Sequence, residues 1–237
     1  MGMTSVAGIR AVTFDCFGTL LWLDRPAERL AAELAHAGVR GVSSEAAGRA
    51  LRREVAYYRA HNIEGRDAVA LADLRRRCAA CLFDALREDG IDGGQLSADE
   101  RVQVLTRAMR FEAFPDVVPA LDACRDAGLQ LAVLSNWDCA LPALLASLGL
   151  ASRFETIVVS AIEGMSKPDP RLFHIALQRL SQPPDRVLHV GDEPNHDVAA
   201  AQSVGMQGLL IDHAESVPPA FAGIRSLAEL PRLLSAR

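Results

Sequence analysis

The stretch Val12-Thr13-Phe14-Asp15-Cys16-Phe17-Gly18-Thr19-Leu20-Leu21 constrains this chain more than any other. Residues 9–14 carry β-branched and aromatic side chains over a run too short for a typical helix, which predicts a strand buried in a sheet. Asp15 stands at the carboxyl end of that strand. In open parallel α/β sheets that edge is where ligands bind. Gly18 lets the chain turn back sharply, and the Thr19 hydroxyl can hold the turn or a neighbouring carboxylate. A carboxylate fixed this way can attack an electrophile and form an ester or an acyl phosphate. Taken alone, the segment fits equally well an Asp that opens an ordinary strand-to-helix turn.

Three later segments shift the balance. Leu131-Ala132-Val133-Leu134-Ser135-Asn136 is an apolar run ending in a hydroxyl and an amide. Gly164-Met165-Ser166-Lys167-Pro168-Asp169-Pro170 sets one lysine in a turn before a helical pattern. Val187-Leu188-His189-Val190-Gly191-Asp192 is a third strand-like run, and it ends in a Gly-Asp turn with Asp197 close behind. The order is nucleophile, hydroxyl, lysine, paired acids. These residues, in this order, resemble the four motifs of the haloacid dehalogenase superfamily, with the match running over residues 9–24 and from about residue 111 to residue 211.

The bulk properties agree. A chain of 237 residues can bury a sizeable core and one insert. No apolar run approaches the ~20 residues of a membrane span, and residues 1–10 lack the apolar centre of a signal peptide, so a cytoplasmic protein with no membrane partner is expected. A net charge of −5 offers no electrostatic reason to bind nucleic acid. The cysteines Cys16, Cys78, Cys81, Cys124 and Cys139 are odd in number, which argues against a disulfide framework. Cys78 and Cys81 form a C-x-x-C without a second pair and inside a helical pattern, so they read as small core side chains and not as a metal or redox site.

Between residues 27 and 111 the pattern is helical throughout, with apolar positions at helical spacing over residues 27–37, 44–61, 68–87 and 99–110. Pro26 suits a first helical position, and Ser97 with Glu100 has the form of a capping box. This block resembles the helical cap inserted after the first motif in one branch of the superfamily, a lid able to exclude water. Arg75-Arg76-Arg77 reads as a solvated helix face. Arg52 is exposed-surface arginine on composition, yet its distance from Asp15 resembles that of the substrate-binding arginine of haloacid dehalogenases.

Beyond residue 114 helices and strands alternate: helices at 117–127, 140–148, 170–180 and 194–203, and strands at 129–134, 156–160, 187–190 and 208–211. Such alternation implies a parallel sheet covered on both faces. The expected fold is therefore α/β, a Rossmann-like doubly wound parallel sheet over residues 1–24 and 111–237, with an inserted α-helical cap over residues 25–110. Right-handed crossovers would bring Asp15, Ser135, Lys167 and Asp192 together on one edge.

The chemistry follows from these parts. Phosphoryl transfer depends on positioning and on positive charge near the phosphate oxygens. Asp15 would be the nucleophile and Lys167 a fixed charge beside it. Ser135 would bond the transferring group, with Thr19 and Asn136 as further substrate contacts. Asp15, Asp192 and Asp197 are oxygen donors of the kind Mg²⁺ takes, and a cation there would offset repulsion between an anionic nucleophile and a small anionic substrate. The resemblance adds the backbone carbonyl of Phe17 as a metal ligand. His189 and His196 have no metal-ligand spacing and read as supporting residues.

One departure stands out. Phosphatases of the superfamily carry an acid two residues after the nucleophile, where this chain has Phe17. Loss of a general acid costs ~10²–10⁴ in rate. Haloacid dehalogenases place an aromatic residue there, and halide leaves without a proton. Those enzymes use no metal, however, and their fourth motif is rich in Ser and Asn, whereas Gly191-Asp192 followed by Asp197 has the metal-binding form. A Mg²⁺-dependent phosphatase is thus favoured over a metal-free 2-haloacid dehalogenase. A binding or regulatory protein on the same fold is the third alternative.

Overall fold

A computed structural model describes residues 8–213 and 223–235. The chain forms two compact units, one comprising the residues up to Trp22 and from Ala113 onward, the other Leu23–Glu112. The first seven residues, which carry most of the reading made of residues 1–10, lie outside the described residues.

Among the described residues the strands are β1 Ala11–Phe14, β2 Leu21–Leu23, β3 Phe111–Ala113, β4 Gln130–Ser135, β5 Thr156–Val159, β6 Val187–Gly191, β7 Gln207–Ile211 and β8 Gly223–Ile224. The helices are α1 Pro26–His36, α2 Ser44–His61, α3 Ala68–Glu88, α4 Ala98–Ala108, α5 Val117–Asp126, α6 Leu141–Ser147, α7 Ser160–Glu163, α8 Pro170–Leu180, α9 Ala200–Ser203 and α10 Leu230–Ser235.

In the first unit six strands form one sheet in the order β5-β4-β1-β6-β7-β8. All five pairings are parallel. β1 and β6 are buried at every position, as strands with helices over both faces must be. Ala11, Leu134, Val158 and Val187 pack with Leu172, Phe173, Ala176 and Leu180 of α8 on one face of the sheet. Each such Leu or Phe contributes about 1.5–3 kcal/mol by leaving water. The chain runs outward through β4 and β5 on one side of β1 and through β6, β7 and β8 on the other. That reversal falls at β1, and the carboxyl ends of β4, β1 and β6 beside it are where such sheets bind ligands. The chain is therefore α/β with a Rossmann-like parallel sheet.

The second unit is all helical apart from strand ends. α1 packs against α2 and α4, and α3 packs against the same two helices. Leu30, Leu34, Leu51, Leu74, Leu82, Leu86 and Leu105 fill its interior. Ser43 and Asp67 cap α2 and α3, and Ser97 and Glu100 make the reciprocal capping box that opens α4. Arg75 and Arg76 are exposed, while Arg77 bonds Glu64, Asp73 and the Tyr57 hydroxyl.

Three features depart from the sequence expectations. The unit boundaries fall after Trp22 and Glu112, not at residues 24 and 110, and the two crossings lie in β2 and β3, which pair with each other. Strands of three residues carry too few positions for an alternating pattern to register. β8 was invisible for the same reason. Residues 194–203 are not one α-helix but a wide π turn over Pro194–Ala199 running into α9. Among the described residues no helix is long and apolar enough to cross a membrane.

Candidate active site

Asp15 follows β1 directly, and its backbone N–H donates to the Val190 carbonyl at 2.9 Å, tying the β1 end to β6. The chain then reverses: the Cys16 carbonyl accepts from Leu20 and Leu21 N–H, each at 2.8 Å, and Gly18 adopts φ +85°. A Cβ on Gly18 would come within 2.3 Å of an Asp192 carboxylate oxygen, so glycine is required both for the turn and for the space. Gly191, which lies in β6 without a positive φ, is constrained by space alone, since a Cβ there would overlap the Asp197 carboxylate.

Lys167 is the hinge of the cluster. It is 4% exposed, and its Nζ donates to Asp15 Oδ1 at 2.6 Å and to Asp197 Oδ1 at 2.5 Å. Burial by itself would weaken the ammonium, but the two carboxylates outweigh it and hold Lys167 protonated well above the ordinary lysine value. Ser135, the last residue of β4, donates to Asp15 Oδ1 at 3.0 Å. The Asn136 side chain donates to the Lys167 carbonyl at 2.9 Å and accepts from the Lys167 N–H at 2.7 Å. Both polar ends of the amide are used on one backbone unit, which sets where the lysine side chain starts.

Asp197 is 1% exposed and accepts from Lys167 and His189 on Oδ1 and from the Glu193 N–H on Oδ2. Burial would raise its carboxyl, but Lys167 and His189 prevail and hold it well below the usual range. His189 is fully buried, with Nδ1 2.8 Å from Thr13 Oγ1 and Nε2 3.2 Å from Asp197 Oδ1. An ionised carboxylate only accepts, so Nε2 carries the proton and Nδ1 accepts from threonine. Asp15 is raised by burial and by the charge of Asp197, with Lys167 opposing. Asp192 is pushed up to about 7 by burial and by the negative charges of Asp15 and Asp197.

Asp15, Asp192 and Asp197 each present an oxygen within 4.8 Å of the others. Three carboxylates this close repel one another unless a cation joins them, and an all-oxygen donor set suits a hard divalent ion. The residues present therefore fit Mg²⁺. Thr19 is fully buried, and its hydroxyl has no hydrogen-bond partner among the described residues.

A family profile described as "Hydrolase: haloacid dehalogenase-like hydrolase" matches residues 9–205. The chain is a haloacid dehalogenase-like hydrolase. The hydrolase is 31% identical over 217 residues to the mouse haloacid dehalogenase-like hydrolase domain-containing protein 3, covering 90% of this chain and 85% of that one. It is 34% identical over 138 residues to a phosphoserine phosphatase of Thermus thermophilus, covering 54% of this chain and 52% of the relative. Its structure is similar, with TM-score 0.62 and 28% identity, to a 2-haloacid dehalogenase of Pseudomonas syringae, covering 95% of this chain and 98% of that one.

The first unit of the hydrolase thus brings Asp15, Ser135, Lys167, Asp192 and Asp197 together. Phe17 lies half-buried in the same turn, and Arg52 lies exposed on α2 in the other unit. The buried Cys16 thiol is pushed up by desolvation, and the Cys78 and Cys81 thiols likewise, which leaves all three poor nucleophiles. Sequence reasoning gave His189 only a general supporting role and His213 none. His189 orients Asp197, and His213, just past β7, places Nε2 3.2 Å from the Thr19 carbonyl. A histidine in the middle of the apolar run of β6 and another just past β7 were the available signals.

Proposed function

We propose that this hydrolase is a Mg²⁺-dependent phosphatase that acts on a small phosphorylated metabolite through an aspartyl-phosphate on Asp15. The observation that carries the reading is the set of three carboxylates, Asp15, Asp192 and Asp197, packed within 4.8 Å of one another beside Lys167. A reaction that needs no metal gives no reason to keep so much negative charge at one point. Asp15, Asp192, Asp197 and the Phe17 carbonyl would hold the ion, Asp197 with oxygens that already accept from protein donors. Mg²⁺ would supply charge neutralisation between the nucleophile and the phosphate.

In this reading Lys167 orients Asp15 and opposes the rise in its carboxyl, and Ser135 turns its hydroxyl proton from Asp15 to a phosphate oxygen when substrate binds, whereas the Thr19 hydroxyl would have to emerge from the interior of the turn to join it. Asn136 holds the lysine backbone through one N–H and its oxygen, and its second N–H would be what it offers a substrate. Asp15 attacks phosphorus, the bond to the leaving oxygen breaks, and water later cleaves the acyl phosphate. Phe17 has no proton to give the departing oxygen. The substrates best suited are accordingly those whose leaving group is already a weak base. The helical unit would serve as the cap that excludes water, with Arg52 as its candidate substrate contact.

Phe17 also favours a second reading, a metal-free 2-haloacid dehalogenase forming an ester on Asp15. A screen of phosphate esters and 2-haloacids, with and without Mg²⁺, separates the two. Hydrolysis of an aryl phosphate that needs Mg²⁺ and disappears in Asp15→Asn supports the phosphatase. Halide release that ignores chelator and disappears in Arg52→Ala replaces it with the dehalogenase. Mg²⁺ binding without either activity would mean a binding protein on this fold.

A further inference from the structure

His213 lies outside the carboxylate cluster, yet it touches the turn that confines one member of it. β7 ends at Ile211, so His213 projects from the same sheet edge as Asp192, one strand over. The two strands are paired, with Gly191 opposite Leu210. The His213 ring stacks on Phe114, centroids 3.7 Å apart and planes inclined by 15°, and Phe114 in turn stacks on Trp22 at 6.4 Å. With the ring held in this way, its Nε2 reaches the Thr19 carbonyl at 3.2 Å, and a carbonyl can only accept.

Thr19 directly follows Gly18, whose Cα lies where the Asp192 carboxylate packs so closely that a methyl group would overlap it. The Gly18–Thr19 turn is therefore one wall of the Asp192 position. At its start the turn is tied to β6 by the Asp15 N–H on Val190. At Thr19 it is located by His213. The imidazole ties the turn to the very strand pair that carries Asp192, so the distance between the first acid and the fourth-motif acid is set at both ends.

We propose that His213 is a positioning residue for the metal-binding acids: through Nε2 on Thr19 and its ring on Phe114 it holds the Gly18–Thr19 turn against Asp192. This rests on the reading of Asp15 and Asp192 as metal ligands. Groups that orient ligands from outside the first coordination sphere typically change metal affinity 10–100-fold when removed.

The test is calorimetric titration of Mn²⁺ into the full-length wild-type protein and three variants, with thermal melting of each. His213→Ala loses both the stack and the hydrogen bond, and its Mn²⁺ affinity should fall about 10-fold or more. His213→Phe keeps a ring on Phe114 without the donor, and it should fall similarly. His213→Gln can return an N–H to the place of Nε2 and should recover most of the affinity. A role confined to stability would lower melting in His213→Ala and leave Mn²⁺ affinity unchanged, and that result would overturn the proposal while leaving the metal site standing. Equal losses in the Gln and Ala variants would overturn it as well. Absence of Mn²⁺ binding by the wild-type chain would refute the metal reading itself, and this role for His213 with it.

Discussion

Lys167 Nζ sits 2.6 Å from Asp15 Oδ1, although the two residues are 152 positions apart in sequence, and it shares its charge with Asp197 on its other side. Neither acid is solvated enough to do without it. The lysine therefore does two things at once, opposing the rise that burial imposes on the Asp15 carboxyl and making a buried carboxylate pair tolerable.

Lys167→Met should show both. Removing one partner of a buried ion pair leaves the remaining charges uncompensated and costs about 3–5 kcal/mol. Denaturant unfolding should report a loss of that order at pH 7, and turnover of an aryl phosphate should vanish even under conditions where the variant is folded. A variant as stable as wild type would mean that the carboxylates are already neutralised by other means.

Phe17→Asp should widen the range of substrates. The new carboxyl would lie in the Asp15 turn, two residues from the nucleophile, and general acid catalysis is worth ~10²–10⁴ in rate. We expect kcat/KM for an alkyl phosphate to rise by about 10²-fold, with little change for an aryl phosphate whose leaving group needs no proton. A plot of rate against leaving-group basicity should be steep in wild type and flatter in the variant. Equal slopes would show that a proton already reaches the leaving group by another route.

Glu54 should make the stability of the helical unit depend on pH. It is 3% exposed on α2, one carboxylate oxygen has no hydrogen-bond partner among the described residues, and burial pushes its carboxyl up to about 7, with a hydrogen bond to Cys78 only partly opposing this. Because the folded value lies above the ordinary 4.5, the folded state binds the proton more tightly than the unfolded one. Stability is then full below pH 4.5 and declines as pH rises through about 7. Glu54→Gln removes the charge, and at pH 8 it should be more stable than wild type by up to about 3 kcal/mol. Parallel stability curves for the two proteins between pH 5 and 8 (about the window where Glu54 titrates) would contradict this.

Much of the molecule was legible before folding because its signals are local. The apolar run before Asp15, the Gly191-Asp192 step, the capping box at Ser97 and the helical spacing of α2, α3 and α8 each lie within about a dozen residues. Asp15, Ser135 and Asp192 stand at strand ends as the run lengths implied. The contact of Asn136 with the Lys167 backbone was not legible: a side chain following a strand can face substrate or a neighbouring backbone equally well, and here one N–H and the amide oxygen bond the Lys167 carbonyl and N–H.

The residue pattern by itself determined that strands would alternate with helices, that one acid would close the first strand, and that an all-helical segment would interrupt the sheet, because periodicity and turn chemistry act between near neighbours. Only the tertiary structure decided which carboxylates Lys167 would join, that Asp192 would lean on Gly18, and that His213 would reach Thr19. Those contacts follow from strand order and register, which place distant segments within a few ångströms. Nothing local in the chain encodes that order.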